Sequence, residues 1–188
     1  IAVVDNSDDP AQSEEILAHC LRHGLNPPTV LSDKLSNHAA RNTAIGLSKT
    51  PYTIIADSHI LFMPRFFETF VEKLSKNPHI TLIHAPWTGR GGIPSNRSNC
   101  FYNLAKFSSN LHGSFSHRGV QPGMDCPVAL APHTTMGFRT DQWAAWGGYM
   151  EECVGNGGGE PWITFKHWMF GGQVWLTMDT GFIHYLGE

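Results

Sequence analysis

Pro51-Tyr52-Thr53-Ile54-Ile55-Ala56-Asp57-Ser58-His59 is an apolar run that halts at a carboxylate and an imidazole. Bounded by a proline and by polar residues, it reads as an interior strand of a sheet covered on both faces, and ligands of such sheets collect beyond the carboxyl ends of strands. In an extended segment positions i and i+2 point the same way, so Asp57 and His59 are expected to converge on one ion while Ser58 faces elsewhere. A carboxylate beside an imidazole suits a divalent metal. The plainer alternative makes Asp57 the cap of the next turn and His59 a hydrogen-bonded loop residue.

Outward from this stretch, the chain alternates strands and helices. Ile1-Ala2-Val3-Val4 runs into the acidic loop Asp5-Asn6-Ser7-Asp8-Asp9-Pro10, giving a second strand end with carboxylates. Asp9 or Ser13 can cap a helix whose apolar face is Ile16, Leu17, Cys20 and Leu21, with Gly24 as its stop. After Pro27-Pro28 and the short strand Thr29-Val30-Leu31, helical spacing resumes with small residues over 37–46, where Arg41 is either a surface charge or within reach of a phosphate. Beyond His59, Pro64 fits the first turn of a helix with the stripe Phe66, Phe67, Phe70, Val71 and Leu74, ended by Asn77-Pro78. His79 to Ala85 is another strand. From Trp87 to Met124 periodicity fails, apart from a helix candidate around Asn99 to Asn110, and this irregular region has the composition of a functional loop. Pro127 to Phe138 is strand-like, and Thr140 can cap a short helix with Trp143 and Trp146. Val154-Gly155-Asn156-Gly157-Gly158-Gly159-Glu160-Pro161-Trp162 then forms a glycine-rich loop whose carboxylate opens a helix through Phe170. Two strands follow, Gln173 to Met178 and Gly181 to Tyr185, the second carrying His184. The alternation predicts an α/β fold with a mixed, mainly parallel, Rossmann-like sheet flanked by helices.

Size and composition bound the reading. A chain of 188 residues is long enough for one substantial core and too short for two, so residues 1–188 are expected to form a single domain. With 19 glycines, 12 prolines and 6 tryptophans, it should be rich in loops and shaped clefts. No apolar stretch approaches the roughly 20 residues that span a bilayer, and no secretory leader is legible. Cys20, Cys100, Cys126 and Cys153 are scattered without paired metal spacing, which favours free thiols and a cytoplasmic setting.

Taken together, these residues resemble nucleotide-sugar glycosyltransferases of the GT-A fold, especially family 2 and the polypeptide N-acetylgalactosaminyltransferases. Val3-Val4-Asp5-Asn6-Ser7 is similar to the strand whose acidic residue contacts the nucleobase, and Ala39-Ala40-Arg41-Asn42 to the element preceding the metal strand. Asp57-Ser58-His59 resembles the Asp-x-His form of the family's Asp-x-Asp motif, which holds manganese against the donor diphosphate. Gly158-Gly159-Glu160 with Trp162, Phe165, Trp168 and Gly171-Gly172 resembles the helix lining the donor-sugar and acceptor pocket. His184 falls where the galactosaminyltransferases supply a third metal ligand. The resemblance, not any spacing, brings His184 to the other two.

What the resemblance implies is a hexosyltransferase using Mn2+ (or Mg2+) and a nucleoside-diphosphate sugar. Asp57, His59 and His184 would be the metal ligands, and Asp5, Arg41, Asp57, Gly158, Gly159 and Trp162 the donor-binding residues. Glu160 would contact the donor sugar or act as base on the acceptor hydroxyl. Retention of the anomeric configuration is favoured over inversion. The competing readings are an inactive sugar-nucleotide-binding module and a metal-dependent hydrolase, since fold alone does not establish activity.

Charge gives a separate expectation about the acceptor. Between Glu72 and Asp125 there is no acidic residue, while Lys73, Lys76, Arg90, Arg97, Lys106 and Arg118 are positive. Trp87, Phe101, Tyr102, Phe107 and Phe115 are interleaved with them, a mixture suited to holding phosphates and stacking on bases. The acceptor is therefore expected to be a polyanion, such as DNA bearing a hydroxyl on a modified base, contacted by Arg90, Arg97 and Arg118. Protein and glycan hydroxyls are the alternatives.

Overall fold

The computed structural model describes residues 1–5, 9–30, 36–88, 103–107, 113–116, 123–132, 134–152 and 159–184. The chain starts with β1 (Val4–Asp5), α1 (Pro10–Arg22) and β2 (Thr29–Val30), the two strands pairing in parallel. Asp9 caps α1 by accepting from the Ala11 N–H at 3.0 Å, with Pro10 at the first helical position. Cys20 is buried on its inner face, whereas Leu17 and Leu21 stay exposed, so the apolar face is narrower than its spacing suggests. Next come α2 (Asn37–Gly46), β3 (Tyr52–Ala56), β4 (Ile60–Phe62), α3 (Phe66–Lys76), β5 (Ile80–His84) and β6 (Trp87–Thr88). Pro64 lies just ahead of α3 rather than inside it, because Arg65 takes a left-handed conformation (φ 60°) and delays the helix start.

The helix expected around Asn99 to Asn110 is instead a hairpin of β7 (Asn103–Phe107) and β8 (Gly113–Ser116), in which Leu104 lies opposite Phe115 and Lys106 opposite Ser114. Pairing with a neighbouring segment overrides the local spacing that suggested a helix. The remaining elements are β9 (Cys126–Pro127), β10 (Thr135–Arg139), α4 (Thr140–Trp146), α5 (Gly159–Met169), β11 (Gln173–Leu176) and β12 (Phe182–His184). Thr140 does not cap α4. It is the first helical residue after Arg139, and its hydroxyl bonds that of Thr53 at 2.8 Å.

The central sheet has the order β3-β10-β5-β11-β9. β3, β5 and β11 share one direction, and β10 and β9 run against them. Alternation along β5 sends Leu82 to one face and Ile83 to the other. The first face packs with Met136, Phe138, Val174 and Leu176 beneath Trp143, Tyr149 and Ile163. The second packs with Phe66, Phe70 and Leu74 of α3, together with Trp87 and Phe182. Gly137 is required where α3 comes closest, since a Cβ there would sit 2.6 Å from the Phe70 ring.

This mixed α/β sheet, covered on both faces, agrees with the expected class. The position of β3 does not. Among the described residues it is an edge strand, pairing with β10 alone, and only its Ile55 is buried. The run from Pro51 is apolar because its two faces meet two different clusters, Ile55 in the first and Tyr52 and Ile54 against the second. A second small sheet, β4-β12-β6, abuts the second cluster. No helix among the described residues is long and apolar enough to cross a membrane.

Candidate metal centre

β3 ends at Ala56, and the Asp57 N–H donates to the Thr134 carbonyl at 3.0 Å, holding the chain in place one residue past the strand. Ser58 and His59 then form a turn into β4. Asp57 and His59 therefore do not lie in one extended segment, as the i and i+2 argument assumed. The turn brings them together instead. β4 pairs antiparallel with β12, with His184 opposite Ile60, so the ladder delivers His184 beside the residue that follows His59.

Among the described residues, Asp57, His59 and His184 are the one group of three or more His, Cys, Asp and Glu side chains whose ligand atoms lie within 4.8 Å of one another. The two Nε2 atoms are 2.8 Å apart, and His184 Nε2 lies 3.8 Å from Asp57 Oδ2. His184 is buried, with the edge of Trp87 across from its ring at 5.2 Å, while His59 is exposed. Burial pushes the His184 pKa down and the neighbouring His59 adds to this, against the opposing Asp57 carboxylate. A neutral imidazole is the form that ligates a metal. The donor set of one carboxylate and two imidazoles, open to solvent at His59, fits a divalent first-row ion.

Arg41 is the neighbour that orders this corner. Ser36 caps α2 by accepting from the Ala39 N–H, and Ala39, 1% exposed, lets the helix lie close to the sheet. Two residues on, the Arg41 guanidinium donates to Asp57 Oδ1 at 2.8 Å. That leaves Oδ2 on the side of the imidazoles. Arg41 thus orients the Asp57 carboxylate, whereas the sequence offered it as a surface charge or a phosphate contact.

Glu160 stands half-buried as the second residue of α5, after the buried Gly159. Its charge and that of Asp57 both act on the buried Tyr149 hydroxyl, whose pKa rises mainly through burial and is opposed by Arg41. Tyr149 stacks on His38 of α2 and shares a core cluster with Ile163 of α5. Trp162 is 39% exposed and carries the Lys166 ammonium 4.9 Å from its ring centroid. Asp5 is buried at the end of β1, outside the three-residue cluster, and α2 packs against both β1 and β3. Gly158, Arg90, Arg97 and Arg118 lie outside the described residues.

Two features escaped the sequence reading. Tyr149, with Gly147-Gly148 before it, offered only the look of a helix stop, and its role depends on contacts with Asn42 more than 100 positions earlier. Lys73 and Lys76, two of the positive residues of the acid-poor stretch, are ion-paired: Lys73 to Asp125 and Asp179, and Lys76 to Glu72.

Comparison with known proteins bears on this geometry. The model of glycosyl transferase family 2 matches residues 1–127. GalNAc-T7, solved with UDP, GalNAc and Mn2+, superposes with a TM-score of 0.78 at 16% identity, covering 99% of this chain and 37% of that one. Residues 1–349 of S. aureus TarS, solved with UDP-GlcNAc, give a TM-score of 0.64 at 17% identity, covering 100% of this chain and 49% of that one. The chain thus spans half or less of these neighbours' lengths. No curated protein sequence matches it.

Proposed function

The chain belongs to glycosyl transferase family 2, and from that premise we propose that it moves a sugar from a nucleoside-diphosphate sugar to an acceptor hydroxyl with the help of Mn2+ or Mg2+. The observation that carries this reading is the convergence of Asp57, His59 and His184 from two sides of a β4–β12 ladder, beside an Arg41 that fixes the carboxylate. When bound, the ion would offset charge developing on the departing nucleoside diphosphate. Two imidazoles add no negative charge, and Arg41 balances part of Asp57's, so the field of such an ion stays available to the diphosphate. GalNAc-T7, a structural neighbour, carries UDP and Mn2+ together, which supports the same pairing here.

In this reading Glu160, at the head of α5, supplies the reacting carboxylate. In a retaining reaction, the outcome we favour, it contacts the donor sugar while the departing phosphate takes the acceptor proton. In an inverting one it is the base. Incubation with a panel of nucleotide sugars and Mn2+, following nucleotide release with and without acceptors, tests the assignment. Release that depends on both metal and acceptor supports transfer; release to water alone points to a hydrolase, and binding without release to an inactive module. The anomeric configuration of the product separates retention from inversion.

For the acceptor, we propose a polyanion, DNA bearing a hydroxylated base in particular. The support is the absence of acidic residues between Glu72 and Asp125. Lys73 and Lys76 are ion-paired, so the proposal turns on Arg90, Arg97, Lys106 and Arg118. A base inside a duplex would have to be flipped out to reach Glu160. Binding should then weaken steeply with salt, and Arg90, Arg97 or Arg118 changed to Ala should each shallow the slope. Absence of salt-sensitive binding to DNA or RNA would redirect the search to peptide and glycan hydroxyls.

A further inference from the structure

Between α4 and α5 the chain turns through Gly147, Gly148 and Tyr149, and the backbone polar groups of this turn are met largely by side chains. Buried backbone groups must find partners somewhere, and here they come from two helices. Lys166 of α5 donates to the Gly148 carbonyl at 2.7 Å. Asn42 of α2 clasps Tyr149 from both sides, its Nδ2 donating to the Tyr149 carbonyl and its Oδ1 accepting from the Tyr149 N–H, each at 2.9 Å. The same Nδ2 reaches Glu151 Oε1, and the Ser36 hydroxyl donates to the Glu151 carbonyl at 3.0 Å. Gly148 has φ +54°, and a Cβ there would sit 2.5 Å from Asn42 Oδ1, so the clasp occupies room that only glycine leaves.

Each of the two helices that grip this turn also carries one residue of the proposed site. Arg41, next to Asn42 on α2, holds Asp57. Glu160 opens the helix on which Lys166 lies. The Tyr149 ring stacks on His38 of α2 at 5.2 Å and meets Trp143 of α4 at 5.0 Å, so the turn is a packed spacer. We infer that Asn42 and Lys166 are positioning residues, which clamp the turn over 147–151 between α2 and α5 and so fix the separation of Asp57 from Glu160 needed for sugar transfer. The inference rests on the sugar-transfer reading above. Neither side chain touches the reacting groups in this scheme. Their effect is geometric, and small misplacements of reacting groups are costly in rate.

The test uses Asn42→Ala, Lys166→Met and Lys166→Arg in the whole chain, with two readouts. In steady-state transfer the first two should lower kcat roughly 10- to 100-fold, leaving the KM for donor unchanged. Lys166→Arg keeps a donor for the Gly148 carbonyl and should restore kcat. In amide hydrogen exchange, Asn42→Ala should speed exchange at Tyr149, with the loosening carried on to residues 159–163. Unchanged kcat in a variant whose turn has loosened overturns the inference, as does loosening confined to 147–151. Should Asn42→Ala fail to fold, the contrast of Lys166→Met with Lys166→Arg decides. If the wild-type chain transfers no sugar from any donor, the sugar-transfer reading falls. The clamp is then judged by exchange alone, upheld by loosening that reaches 159–163 and overturned by loosening that does not.

Discussion

Two clusters of ionisable side chains stand at opposite ends of the β4–β12 ladder, and they are built on different principles. At one end, beyond Thr180, Lys73 lies 2.6 Å from Asp125 and 2.5 Å from Asp179, while Asp125 also accepts from the Met178 N–H and the Thr177 hydroxyl. Burial alone would lower the Lys73 pKa, but the two carboxylates together outweigh it and raise it. This cluster brings its own cation and its hydrogen bonds are largely internal. At the other end, two imidazoles face each other at 2.8 Å beside a carboxylate that shares its other oxygen with Arg41. Such a set of lone pairs is held together by a shared proton or a metal ion. Both clusters perturb pKa values, but the first surrounds a lysine with two carboxylates while the second sets the Nε2 atoms of two imidazoles side by side, so charge clustering alone is a poor guide to function.

The largest effect should come from Glu160→Gln. It preserves size and hydrogen bonding, so metal-dependent nucleotide binding should persist while sugar transfer falls roughly 100-fold or more. Near-normal turnover, measured as nucleotide release with acceptor present, would leave Glu160 only a helix-opening role. At the other cluster, Lys73→Met removes the internal cation and strands two carboxylates. We expect a loss of about 1–2 kcal/mol in urea unfolding, limited because Asp179 is well exposed, with nucleotide binding untouched. A variant that unfolds normally but loses nucleotide binding would erase the distinction between the clusters.

A separate effect, on stability rather than on turnover, concerns acid. His84 and His167 are buried, and burial pushes both pKa values down to about 3, with Lys166 adding to the effect at His167 and the Ala85 backbone opposing it at His84. In the unfolded chain a histidine protonates near 6.5, so between those values the unfolded state binds more protons and stability declines as pH falls. The contribution is complete above about pH 6.5 and is lost as pH falls toward about 3. Urea midpoints should drop steadily from pH 7 to pH 4, and His167→Gln, which can still reach Thr81, should flatten that slope. An unchanged slope would contradict the assignment.

Much of this was legible in the residues themselves. The strand ends at Asp57 and His184, the Asp9 cap, the Phe66, Phe70 and Leu74 part of the α3 stripe (Phe67 and Val71 stay exposed) and the carboxylate at the head of α5 are local patterns, readable because period and capping are properties of neighbouring residues. What escaped was long-range. That β10 lies between β3 and β5, making β3 an edge strand, follows from pairing across some 80 positions, and nothing near Pro51 announces it. The turn at Ser58 and His59 produced the convergence expected of an extended segment by another route. Asn42 stood in the sequence only as the end of Ala39-Ala40-Arg41-Asn42, its two bonds to Tyr149 being long-range, and the pairing of 103–107 with 113–116 was hidden behind spacing compatible with a helix.

The central claim, that Asp57, His59 and His184 hold an ion for the donor diphosphate, is tested most directly by calorimetric titration of UDP in the presence and absence of Mn2+, using wild type, Asp57→Ala and His184→Ala. The account predicts metal-dependent binding by the wild type, lost in both variants while their unfolding midpoints stay close to wild type. Undiminished Mn2+-dependent binding in either folded variant would contradict it.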